Sequence, residues 1–186
     1  VDLFVHGKEN IPRYKGKRGY AIIANHQSMF DILVIGSVFR DPVAFVAKKE
    51  ISKWPFIGIW TKTLGSSFID RDNLRQSYEA VMVKGATNIK NGLAMTVFPA
   101  GTRSKKNEVQ DFKPGSLRIA TSNKAPIVPV TIIDGFKAAK AGFFHRVKVH
   151  VHVHPMLEYA DYEGLSTFSV AKKVQAIVEE PIKALK

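Results

Sequence analysis

Residues 20–38 read YAIIANHQSMFDILVIGSV, and the way this stretch divides decides the fold. Its opening, residues 20–24, is a short apolar run of strand length. Its close, residues 32–38, is a second apolar run, and the polar Asn25-His26-Gln27-Ser28 before it marks a strand turning into a helix. Ser28 is placed to cap that helix, because a hydroxyl there can accept a hydrogen bond from an unpaired first-turn N–H. Junctions of this kind, at the carboxyl ends of strands, are where open α/β sheets hold ligands. His26 is therefore expected at the mouth of a site.

Outward from this junction, short β-rich runs alternate with helical patterns. Strands are expected over residues 3–6, 20–24, 43–47, 67–70, 95–98, 127–132 and 147–153, and helices over 73–90, 116–122 and 167–184, with Pro181 kinking or ending the last. This alternation predicts an α/β fold: a single layered domain with a mostly parallel central sheet of about seven strands flanked by helices. The 186 residues suffice for one core, and a hydrophobic fraction of 45% with 24% charged residues is that of an ordinary globular chain.

The chain has no cysteine, which excludes disulfides, a thiol nucleophile and thiolate zinc sites. Its 28 Lys+Arg against 16 Asp+Glu give a net charge of +12 and favour a negative partner. The best apolar run, residues 29–39, is interrupted by Asp31 and is too short to span a bilayer. A first residue of Val1 rather than Met is compatible with an N-terminal membrane-anchoring segment upstream.

Asp31 lies five positions after His26, so a chain turning into a helix can bring its carboxylate back to one imidazole nitrogen. That contact would fix the tautomer and leave the other nitrogen to take a proton from a substrate hydroxyl. The same spacing suits a histidine that ends a strand and an aspartate that caps a helix. Residues 65–71, GSSFIDR, end an apolar strand in Asp70 and Arg71, where the guanidinium suits a phosphate or a neighbouring carboxylate. Residues 98–104, FPAGTRS, end another strand in a turn whose Gly101, Thr102 and Arg103 offer amides, a hydroxyl and a guanidinium to an oxyanion, though a charged surface turn has the same composition.

Taken in order, these segments resemble the lysophosphatidate acyltransferase family, the 1-acyl-sn-glycerol-3-phosphate acyltransferases, and the wider glycerolipid acyltransferase superfamily. Residues 25–31 match the family's His-x4-Asp block, residues 65–71 its Phe-Ile-Asp-Arg block, residues 98–104 its Phe-Pro-Glu-Gly-Thr-Arg-Ser block, and APIVPV at 125–130 its proline-containing apolar block. The resemblance implies that residues 1–186 are the catalytic domain. It implies His26 as general base, Asp31 as its partner, Arg71, Gly101, Thr102 and Arg103 as binders of the acceptor phosphate, and Pro129 as a residue shaping the site from below. It implies transfer of a fatty acyl group from acyl-CoA or acyl-ACP to lysophosphatidate, with no cofactor, no metal and no covalent intermediate. A related lysophospholipid or glycerol 3-phosphate would be acylated by the same residues. Ala100 stands where the family pattern has glutamate, a departure that impairs positioning and keeps in view an inactive, lipid-binding member of the fold.

Lys48, Lys49, Lys53, Trp54, Phe56, Trp60 and Lys62 fall within one short stretch that mixes cations with both tryptophans. Such a stretch suits the anionic surface of a membrane, and a membrane-associated position on the cytoplasmic face is expected; a core helix with a solvated basic edge has the same pattern. No nucleic-acid-binding motif is present. His150, His152 and His154 alternate along one strand face, a pattern of a half-buried strand's polar side and also of three zinc-ligand imidazoles.

Overall fold

A strand buried on both faces needs helices on both sides. Ala21, Ile22, Ile23 and Ala24 are all fully buried and make such a strand. The computed structural model describes residues 1–13, 18–39, 41–70, 73–141 and 146–185. Its strands are β1 (Asp2–His6), β2 (Ala21–Ala24), β3 (Val43–Lys48), β4 (Ser67–Ile69), β5 (Ala94–Val97), β6 (Ile127–Ile133) and β7 (Lys148–Val153). Its helices are α1 (Phe30–Val38), α2 (Ile57–Thr63), α3 (Leu74–Lys90), α4 (Arg118–Thr121), α5 (Gly135–Lys140) and α6 (Thr167–Lys183).

The seven strands form one sheet in the order β1-β7-β6-β2-β5-β3-β4. Every pairing is parallel except that of β6 with β7. In β2 the side chains alternate between the faces, as a pleated strand requires. Ile22 and Ala24 pack with Ile32 and Ile35 of α1 and Ala138 of α5. Ala21 and Ile23 pack with Ile89 of α3, Ile119 of α4 and Val170, Val174 and Val178 of α6. Each fully buried isoleucine contributes about 1.5–3 kcal/mol, against ~0–1 kcal/mol for an exposed ion pair such as Lys48–Glu50. The two-sided core holds the fold.

Because β2, β5 and β6 are neighbours and parallel, the loops that leave their carboxyl ends emerge side by side. This crest carries the His26 turn, the residue 98–113 loop and Asp134-Gly135. The expected strands all form, with ends displaced by a residue or two. Pro181 neither ends nor interrupts α6: Ala184 N–H still bonds to Glu180 O, since a proline two positions before the helix end forfeits only one intrahelical bond. Among the described residues no helix is long and apolar enough to cross a membrane.

Candidate active site

The chain leaves β2 at Ala24 and is pinned at once. Asn25 Oδ1 accepts the Ile132 N–H at 2.7 Å and its Nδ2 donates to Ile132 O at 2.8 Å, so a buried side chain replaces the strand pairing that has run out. His26 follows, half-buried, with its ring against the Phe98 ring at a centroid distance of 4.2 Å and an interplanar angle of 18°.

Asp31, in the first turn of α1, is fully buried and reaches back over the turn. Its Oδ2 accepts from His26 Nδ1 at 2.7 Å, from Gln27 N–H at 2.6 Å and from Ser28 N–H at 2.9 Å. The Ser28 hydroxyl lies 3.2 Å from Oδ1 and 2.9 Å from Gly135 O, and accepts the Phe30 N–H at 3.1 Å. The same carboxylate holds the turn before α1 and contacts the imidazole; it caps no amide of the helix itself. The carboxylate satisfies the loose amides at the helix entry and, with the same oxygen, orients the imidazole. A buried carboxylate without such donors would be strongly disfavoured. With Nδ1–H given to Asp31, Nε2 carries the lone pair, and it has no hydrogen-bond partner among the described residues.

Phe98 ends β5 and introduces the second part of the site. Ser104 N–H donates to His26 O at 2.9 Å, which brings the Gly101-Thr102-Arg103 turn alongside the histidine. Gly101 takes a positive φ of 74° that glycine accommodates, and its N–H is given to Phe98 O. The Thr102 hydroxyl donates to Gln110 at 2.7 Å. The Gly101 amide and Thr102 hydroxyl, expected to meet an oxyanion, are thus engaged within the loop. The Thr102 and Arg103 amides and the exposed Arg103 guanidinium have no intramolecular partner among the described residues. Lys113 joins them: its Nζ lies 3.5 Å from where a Cβ on Gly101 would stand. Ala100 is buried at the base of this turn, and Pro129 lies within β6 beside Ile23 of β2. Arg71 lies outside the described residues.

The basic, tryptophan-bearing stretch divides. Trp60 turns inward, packing near Phe45 and filling the space beside Gly36, where a Cβ would come within 2.6 Å of its ring. It is half-buried and packs against the core. Trp54, Phe56 and Ile59 face outward, Phe56 at 85% exposure, and Phe30 and Leu33 of α1 are also exposed. Lys48 pairs with Glu50 and Lys49 with Asp70, while Lys53 and Lys62 are exposed.

On the β7 face, His154 Nε2–H donates to the Thr131 hydroxyl at 2.8 Å, and that hydroxyl donates to Val178 O. His6 Nε2 and His150 Nδ1 meet at 3.1 Å, and His6 stacks on His152. Burial, with the neighbouring imidazoles, pushes His152 down to about 4. Among the described residues no three metal-ligating side chains converge.

A buried carboxylate thus aligns a histidine at the crest of a mostly parallel sheet, beside a cationic turn, in an α/β protein. The chain belongs to the Acyltransferase family, whose profile matches residues 2–133. It is 32% identical to a 1-acyl-sn-glycerol-3-phosphate acyltransferase of Saccharomyces cerevisiae over all of this chain and 60% of that one. It is 30% identical to the protein of that name from Borreliella burgdorferi, over 92% of this chain and 69% of the relative. The crystal structure of the 1-acyl-sn-glycerophosphate (LPA) acyltransferase PlsC from Thermotoga maritima superposes with a TM-score of 0.78 at 29% identity, covering all of this chain and 72% of that one.

Sequence reasoning did not find Gln27, Asn107, Asp134, Gly135 or Lys113. Only Asp134-Gly135 carried a local signal, as a turn-forming pair directly after a strand. The others owe their place to contacts across the fold.

Proposed function

We propose that the chain is the catalytic domain of an acyltransferase that moves a fatty acyl group from an acyl thioester to the free hydroxyl of lysophosphatidate, giving phosphatidate. The observation that carries this reading is the His26–Asp31 contact of 2.7 Å beside the Thr102-Arg103 turn. Nε2 of His26 takes the hydroxyl proton as the oxygen attacks the thioester carbonyl. The tetrahedral intermediate collapses with cleavage of the carbon–sulfur bond, and the imidazolium returns the proton to the departing thiolate. Asp31 keeps the imidazole in the required tautomer and steadies its positive charge. The acceptor phosphate is held by Arg103, the Thr102 and Arg103 amides and, following the motif, Arg71. The donor is acyl-CoA or acyl-ACP, and no metal or cofactor enters the scheme.

The acceptor would come from a membrane. Phe56, Ile59 and Trp54, with Phe30 and Leu33 on the helix that Trp60 joins to α2, form the apolar side of the proposed contact, and Lys53 and Lys62 its cationic side. Ala100 supports a second reading, a lipid-binding member without turnover, because a buried methyl group provides neither charge nor hydrogen bond where the family pattern has a carboxylate.

Assays of lysophosphatidate with both donors separate these readings, using this chain, Ala100→Glu and a His26→Ala form of whichever turns over. Turnover that His26→Ala reduces by about 10²-fold or more supports the mechanism. Unchanged turnover in His26→Ala removes it. Binding of lysophosphatidate without turnover in either parent selects the lipid-binding reading, and turnover of glycerol 3-phosphate alone reassigns the acceptor.

A further inference from the structure

Residues 98–113 contain neither helix nor strand, yet this segment carries the turn at Gly101, Thr102 and Arg103. A loop of that length keeps a fixed place only if side chains tie it down. Asn107 is the tie. Its Oδ1 accepts from Gln27 Nε2 at 3.0 Å and from the Asp134 N–H at 2.9 Å, and its Nδ2 donates to Asp134 Oδ1 at 2.8 Å.

Each of these partners is itself fixed. Gln27 is fully buried, next to His26, with its N–H on Asp31. Asp134 sits in the left-handed region with φ 65°, one residue before Gly135, whose carbonyl receives the Ser28 hydroxyl. One side-chain amide therefore joins the loops that follow β2, β5 and β6. Three residues upstream of it, Ser104 N–H bonds to His26 O.

We propose that Asn107 is a positioning residue that clasps the acceptor-binding loop to the His26 turn, so that the anion site at Thr102 and Arg103 and the lone pair of His26 Nε2 belong to one rigid frame. What the loop binds rests on the function proposed above; the clasp is a property of the fold. An acceptor that spans both points gains from that frame, because the cost of aligning its phosphate and its hydroxyl is met by the protein beforehand. The acyl donor, which does not need the Thr102-Arg103 turn, gains less.

The arrangement is testable by exchange of partners. Asn107→Asp sets a carboxylate against Asp134 Oδ1 and removes the 2.8 Å bond. Adding Asp134→Asn supplies an amide at the other end, and asparagine tolerates the left-handed conformation at that position. In whichever parent turns over, Asn107→Asp is expected to raise the KM for the acceptor about tenfold, as loss of a part-buried hydrogen bond that sets the loop's position does, with the KM for the donor within about twofold. Hydrogen exchange of the Ser104 amide is expected to quicken about tenfold or more while β5 and β6 amides stay protected. The double variant should return both readouts toward the parent.

Three outcomes overturn the proposal: Asn107→Asp indistinguishable from the parent, a double variant as impaired as the single one, or faster Ser104 exchange with an unchanged acceptor KM. If no form turns over lysophosphatidate, the proposed reaction fails on its own, and Ser104 exchange in the single and double variants still decides the clasp.

Discussion

The donors that converge on Asp31 explain why a carboxylate is stable at a position with no access to water. Asn at this position keeps the volume but offers one neutral amide oxygen where a charged one takes three donors, so Asp31→Asn is expected to weaken the turn and the imidazole's orientation together. Turnover should fall by about 10²–10⁴-fold, with a lowered Tm in the same sample, whereas His26→Ala should lose turnover with little change in Tm. Gly135 is the other sensitive point. A Cβ there would stand 2.7 Å from Asp31 Oδ1 and 3.0 Å from Ile132 Cγ2. Gly135→Ala is therefore expected to destabilise the fold by about 1–3 kcal/mol, measurable by denaturant melts, and to disturb the dyad without touching substrate. His26 and Asp31 were legible because five residues of chain bring them together. Asn25 and Gln27 were not, because their partners lie on β6 and the residue 98–113 loop, and no local pattern reports such pairings.

At the scale of elements, α1 is apolar on nearly every side, which suits a helix wedged between a sheet and a second helix. Gly36 lets Trp60 of α2 lie against it, and the two helices are one unit at that point. Gly36→Val should expel the indole and lower Tm, with a shift in tryptophan fluorescence as the direct readout. Phe56→Ser with Ile59→Ser removes only exposed side chains. It should leave Tm within a degree or two while weakening sedimentation with anionic vesicles, and undiminished sedimentation would count against membrane contact by this face. The central strands β2, β5 and β6 were readable because doubly buried strands are short, mostly apolar runs, and β7 because its residues alternate between apolar and polar. Trp60 was not, because a tryptophan among lysines looks the same in a sequence whether its ring faces a bilayer or a glycine on the next helix. α5 escaped because six residues are too few to show a period.

For the molecule as a whole, charge and protonation set the working conditions. A net charge of +12 should make any association with anionic vesicles fall as salt rises, over the range where the Debye length shrinks below ~10 Å. His152 gives stability its own pH dependence. Burial and the neighbouring imidazoles lower it from the usual 6.5 to about 4, so between those values the unfolded chain binds a proton that the folded chain refuses. Its contribution is complete above pH 6.5 and is lost as pH falls toward 4. His154, lowered by burial and opposed by Glu180 of α6, acts in the same direction. Thermal melts should therefore decline from pH 7 to pH 5, and His152→Gln should make that decline shallower.

The sheet order also fixes a sequence of events in time. β2 can join β5 once residue 97 has been made, and β6 can close on β2 by residue 133, but β1 pairs only with β7, Asp2 opposite Lys148 and His6 opposite His152. On the ribosome β1 is the first of the seven strands to emerge and, waiting for β7, among the last to be paired. Until then both of its backbone edges are open, and open edges recruit other chains; in the finished sheet β1 is an end strand. The completion of this sheet waits for β7 to leave the exit tunnel.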